Sequence, residues 1–330
     1  MDSSHTHLPS DHPLPAEPGS ATDAWAADVL TVSSPQELAP LRGEYRQPPR
    51  KLWLPLLLFL ATCLSTFVIG ALSCYPHARQ TPTLVCIAEG WLAGLQYMTA
   101  VMAILVAHEM GHFLQAVRHR IPASFPFFIP LPLPPIGTMG AVMGMEGSRA
   151  DRKQLFDIGI SGPLAGLVVA IPIAAYGIWT ADVGAPADGL VSLQDPLLFK
   201  ALIHWLRPAL PSGHDLQPSP LLMAAWVGML ITGLNMLPIS QLDGGHVAYA
   251  LFGRRAHLLA RVVMLAAVVF ILVSKQYQWC VMLALIFCIG PYHPPTADDA
   301  APMGLGRRLI GLASLAIPIL CFIPEPVKAS

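Results

Sequence analysis

Apolar residues gather into long blocks separated by short polar or Pro-rich connections. The blocks run over roughly 53–73, 91–117, 155–179, 220–238, 258–274, 277–291 and 308–324. A hydrocarbon core about 30 Å thick takes about 20 apolar residues in a helix. The pattern therefore predicts an all-α multi-pass membrane protein with about seven transmembrane helices, six and eight being the bounds. The block 277–291 is short and is expected to form a tight hairpin with 258–274. Residues 197–206 are amphipathic and are placed at the membrane interface. Residues 1–51 are polar and Pro-rich and read as a disordered cytoplasmic tail. The first apolar block starts only near Trp53, too late for a secretory signal.

Composition agrees with this reading. Of 330 residues, 54% are hydrophobic and only 12% are charged. A net charge of −1 leaves no basic field, so no nucleic-acid partner is expected. The 19 Lys and Arg residues divide unevenly when the N-terminus is put inside, 14 on the inner side and five on the outer. That bias predicts a cytoplasmic N-terminus. No loop between blocks is long enough for a separate folded domain. Six Cys are too few for a disulfide framework. Cys74 and Cys86 flank the first outer loop as a possible pair, and the other four read as packing residues.

The second block ends in His108-Glu109-Met110-Gly111-His112, an H-E-x-x-H string. Residues four apart on a helix lie about 40° apart around its axis, one turn along. Both imidazoles therefore reach one metal ion, with Glu109 beside them. Zn²⁺ suits neutral imidazole, and Glu109 is placed as the base toward a water the metal activates. Chance yields roughly 0.01 such strings from this composition. A carboxylate inside an apolar helix also costs several kcal/mol unless it has a use.

A catalytic zinc site needs a third protein ligand. The fourth block reaches the same side of the membrane and ends in Asn235-Met-Leu-Pro238-Ile-Ser-Gln-Leu-Asp243-Gly-Gly245. Pro238 and the Gly pair interrupt the helix, which frees Asp243 to turn inward. Glu146, which solvent can reach, is the weaker rival. His246 is adjacent but reads as a supporting or interfacial residue. His5, His7, His12, His77, His214 and His293 sit in polar stretches and need no function. Asp151 and Asp157 are expected to cap the third span or lie at the interface.

An H-E-x-x-H on one transmembrane helix with N-x-x-P-x-x-x-x-D-G on a later one resembles the site-2 protease family of intramembrane zinc metalloproteases. The resemblance covers residues 90–260, expected to be the catalytic core. Residues 52–89 then hold the first helix and outer loop, and 261–330 the C-terminal helices. It implies His108, His112 and Asp243 as ligands of one Zn²⁺, and Glu109 as the catalytic acid/base. It also implies Asn235 as a group that holds the substrate backbone or the oxyanion. Gly159-Ile-Ser-Gly162-Pro-Leu-Ala-Gly166 looks like the family's small-residue central helix. Many members carry a PDZ or CBS domain, for which there is no room here. The second motif also lacks the Pro often found between its Pro and Asp. The compact PDZ-less relatives of plastid and cyanobacterial type look most similar.

The resemblance implies a metalloendopeptidase acting on peptide bonds in or near the transmembrane segments of membrane proteins. A membrane-bound anti-sigma factor or regulator is the implied partner, in a bacterial cytoplasmic membrane. The Pro-rich apolar connection 121–147 is expected to hold an extended strand near 137–143, like the family's short β-loop beside the site. That strand could pair with an unwound substrate, or simply connect. Two other readings stay open: a membrane metal transporter or sensor using the His/Asp site, and a protease-like binding protein without catalysis.

Overall fold

The computed structural model describes residues 52–73, 82–185, 191–211, 213–290 and 292–329. The expected tail, 1–51, and Cys74 of the Cys74–Cys86 pair lie outside them. Helices dominate. They are α1 (Trp53–Ser73), α2 (Thr83–Glu89), α3 (Trp91–Arg118), α4 (Arg152–Thr180), α5 (Leu197–Leu206), α6 (Pro220–Asn235), α7 (Asp243–Phe252), α8 (Ala256–Ser274), α9 (Cys280–Ile289), α10 (Leu305–Ser314) and α11 (Ile317–Cys321).

The chain punctuates these helices as local chemistry demands. Asp151 caps α4 in a reciprocal box, taking the amides of Lys153 and Gln154 while its own amide donates to the Gln154 side chain. The expected cap is thus found for Asp151. Ser219 caps α6 ahead of Pro220, whose missing N–H costs nothing in the first turn. Arg118 closes α3, where a cation complements the helix dipole.

Four helical segments are long and apolar enough to cross a membrane: Trp53–Ser73, Trp91–Arg118, Arg152–Thr180 and Asp243–Ser274. Leu197–Leu206, Pro220–Asn235 and Tyr277–Cys288 are apolar but shorter. The expected count of about seven spans is therefore not confirmed; four helices of that length are found among the described residues. The block 308–324 fails as one span because the helix breaks between Ser314 and Ile317, just ahead of Pro318. Conversely, α7 and α8 run on through a single 3-10 turn at Gly253–Arg255.

At the centre, α3 packs against α1, α4 and α6. Tyr97, Val101 and Leu105 of α3 meet Ile69 of α1 and Trp226, Val227 and Leu230 of α6 in one buried cluster. Lipid is as apolar as Leu, so hydrophobicity does not hold such helices together; close packing does. The contact of α3 with α4 shows this. A Cβ at Gly111 would lie 2.5 Å from the Ser161 carbonyl oxygen.

The connection between α3 and α4 forms an antiparallel hairpin, β1 (Phe127–Pro130) and β2 (Thr138–Val142), with Phe128 opposite Ala141. The expected extended segment is thus present. Its turn is pinned by Ser65 of α1, which donates to the Gly137 carbonyl at 2.7 Å, and by Tyr97 of α3, which donates to the Ile136 carbonyl at 2.6 Å. Two smaller strand pairs join β3 (Val183–Gly184) to β5 (Asp215–Leu216) and β4 (Val191–Leu193) to β6 (Val327–Ala329).

Asp157 does not cap α4. It lies inside α4 and accepts both Arg307 bonds, at 2.8 and 2.9 Å, while His119 approaches to 3.2 Å. One carboxylate therefore links the end of α3, α4 and α10.

Candidate metal centre

His108 and His112 fall one turn apart in the second half of α3, on the face that meets α4. They are buried, 2% and 6% exposed, and Glu109 between them is 4% exposed. Three polar side chains rarely enter an apolar bundle without a common purpose.

The carboxylate opposite comes from a broken helix. α6 stops at Asn235, the chain turns through Pro238 and Ser240, and α7 begins at Asp243. The glycines after Asp243 are what the turn requires. A Cβ at Gly244 would lie 2.0 Å from the Met236 carbonyl oxygen, and one at Gly245 would lie 2.2 Å from that of Ser240. This tight fold-back carries Asp243 to α3. Its Oδ2 lies 3.0 Å from His108 Nε2 and its Oδ1 lies 3.2 Å from His112 Nε2.

The donor set fits a divalent metal. One ligand atom from each of His108, His112 and Asp243 lies within 4.8 Å of the others. His112 Nδ1 sits 2.8 Å from the Ile158 carbonyl oxygen of α4. A carbonyl can only accept, so Nδ1 carries a proton, and Nε2 is the nitrogen left to bind a metal ion. Such an outer hydrogen bond orients metal-binding histidines generally. α4 also leaves room for the imidazoles. A Cβ at Gly162 would lie 2.0 Å from His112 Nε2, and one at Gly166 would lie 3.2 Å from His108 Nδ1. The Gly/Ser/Ala spacing, read from sequence as helix contact, is thus also the cradle of the site.

A cavity of about 130 Å³ opens on this cluster. His108, Glu109, His112, Asn235 and Asp243 all line it, so the five predicted site residues come together. The Asn235 side-chain amide lies 3.4 Å from His108 Nε2. Ala141 and Val142 of β2 form another wall. Glu146, the rival third ligand, is instead paired with Arg149 at 2.6 Å. His246, expected to be a supporting or interfacial residue beside the site, lines the cavity itself. His293, expected to need no function, is 5% exposed and bonded to His246 at 2.7 Å. Nothing local in the sequence marks His293, because it reaches His246 only through the fold.

The chain is 29% identical over 311 residues to "Probable zinc metalloprotease EGY1, chloroplastic" of Arabidopsis thaliana, covering 86% of this chain and 56% of that protein. It is 30% identical over 235 residues to "Probable zinc metalloprotease EGY2, chloroplastic" of Oryza sativa subsp. indica, covering 68% and 41%. The chain thus spans about half the length of the curated relatives it matches. No solved structure gives a significant match. Residues 96–274, just over half of the chain, match the family described as Peptidase family M50, and they contain both halves of the His/Asp cluster. The chain belongs to Peptidase family M50, the site-2 protease family.

Proposed function

We propose that this chain is an intramembrane zinc metalloendopeptidase that hydrolyses peptide bonds in or near the transmembrane segments of membrane proteins. The observation that carries the reading is the convergence of His108, His112 and Asp243 beside Glu109 at one buried cavity. Membership of a peptidase family and relatives named as zinc metalloproteases support it.

His108 Nε2, His112 Nε2 and the Asp243 carboxylate would hold the ion. Zinc, when bound, supplies Lewis acidity that polarises a carbonyl and acidifies water. The Glu109 carboxylate takes a proton from the attacking water and returns it to the leaving nitrogen. One O–H and one C–N bond break while one C–O and one N–H bond form. Asn235, at the cavity wall, donates an amide hydrogen bond to the substrate carbonyl or its oxyanion. A helical substrate shields its own peptide bonds and must unwind to be cut. β2 pairs only with β1 among the described strands, so its other edge can take an unwound segment.

The Lys and Arg bias supports an orientation with the N-terminus and the His108–His112 end of α3 on the same inner side. The anti-sigma factor and the bacterial cytoplasmic membrane enter this proposal only through the family resemblance, and the relatives are chloroplastic by name.

The test is Glu109→Gln in proteoliposomes containing a single-pass substrate. The expected outcome is a loss of about 10²–10⁴-fold in cleavage with about one zinc per chain retained. Equal cleavage by variant and wild type would overturn the proposal. Zinc flux that survives Glu109→Gln would instead favour the transporter reading.

A further inference from the structure

The second histidine cluster, around His246, is built by the same device as His112. His246 stands on α7 one turn beyond Asp243, and its ring is a wall of the cavity. Its Nδ1 lies 2.7 Å from His293 Nε2. The other nitrogen of His293, Nδ1, lies 2.5 Å from the Pro294 carbonyl oxygen. That carbonyl accepts only, so His293 carries a proton on Nδ1. Burial pushes the His293 pKa down, which keeps the ring neutral and leaves Nε2 a bare acceptor. His246 must then donate from Nδ1, and its own Nε2 carries a lone pair. That Nε2 makes no hydrogen bond to any described residue.

His293 is itself held firmly. Tyr249 stacks on it at 4.5 Å, and the Tyr249 hydroxyl donates to Asp299 Oδ2 at 2.9 Å. His257 Nε2 lies 3.2 Å from the His293 carbonyl oxygen. A loop after α9 thus reaches across α7 to set the orientation and tautomer of a ring inside the cavity.

We propose that His246 Nε2 is a substrate-binding acceptor for a backbone N–H of the unwound segment, and that His293 is the positioning residue that fixes its tautomer. Resting on the protease reading above, the assignment adds a second substrate contact at the cavity, beside the one offered by β2. An unwound peptide loses its internal hydrogen bonds, and each exposed N–H left unpaired in the cavity weakens binding. β2 offers partners along one side only. His246, on α7, offers a further acceptor at the same cavity.

Two measurements test this. The first does not depend on cleavage: ¹⁵N-histidine solid-state NMR of the membrane-reconstituted chain, with the His246 signal assigned by its loss in His246→Gln. Wild type is expected to show the proton on Nδ1 of His246. His293→Phe keeps a ring against Tyr249 but removes the acceptor, and is expected to move that proton wholly or partly to Nε2. A wild-type His246 protonated on Nε2, or a tautomer unmoved in His293→Phe, overturns the proposal. The second is kinetic. His246→Leu is expected to raise KM about five- to tenfold, the worth of one hydrogen bond, with kcat and zinc content nearly unchanged. His246→Gln restores an acceptor and is expected to recover most of the loss. A fall in kcat or zinc with KM unchanged, or no rescue by Gln, counts against it. Failure of the protease reading itself would show in wild type, as cleavage no greater than that of Glu109→Gln, whatever the tautomer.

Discussion

Two of the four membrane-length segments differ in a way that explains where chemistry can sit. In α3, 44% of the apolar window is buried inside the protein; in Asp243–Ser274 the figure is 22%. The first is the less apolar of the two and carries two histidines and a glutamate. The second becomes uniformly apolar after Arg261 and turns Leu265, Val269 and Leu272 outward. A helix wrapped by α1, α4 and α6 meets protein on most sides and tolerates ionisable groups that lipid would reject. A helix facing lipid cannot. Only the first turn of α7, tucked against α4 at Gly159, contributes to the site.

The contrast breaks most sharply at Gly162. Adding one methyl there places carbon within 2.0 Å of His112 Nε2. Gly162→Ala is expected to reduce bound zinc to well under one ion per two chains and cleavage by at least about 100-fold. Metal analysis and a cleavage assay check both, and retained zinc would mean that α4 yields easily. Arg307→Ala tests how the periphery is fastened to the centre. It removes the two bonds to Asp157, but Arg307 is 41% exposed, so the expected loss is only about 1 kcal/mol. Thermal unfolding in detergent measures it, with zinc content unchanged. Leu265→Ala should be the mildest, within about 0.5 kcal/mol, because the side chain is 65% exposed. A large effect there would show that α8 is covered by a partner rather than by lipid.

How much the sequence reveals follows the same division. Features set by neighbours along the chain were legible. The block 53–73 is α1 to the residue, and the four-residue spacing of His108 and His112 needs only helix geometry. Asp243 could be found because the Pro238 and Gly244–Gly245 breaks announce a turn at the right end of a helix. Features set by packing were not. The block 308–324 has the composition of a span but breaks into two short helices. The Gly162 cradle looked like helix contact alone. His293 reads as a residue that needs no function, because its stretch of sequence is polar while its neighbours in space are His246 and Tyr249. Asp157, expected at a helix start, found Arg307 some 150 positions away.

The turn that delivers Asp243 has one more consequence. His108 and Asp243 stand 135 positions apart, with the whole hairpin, α4, α5 and α6 between them. An ion gripped by both closes a loop nearly half the length of the chain, as a covalent cross-link would. The entropy lost by so large a loop in the unfolded chain grows only slowly with its length, yet it is removed in one step. Metal affinity and the integrity of the central bundle are then one equilibrium, and stripping the ion loosens the join between α3 and α7 along with the site.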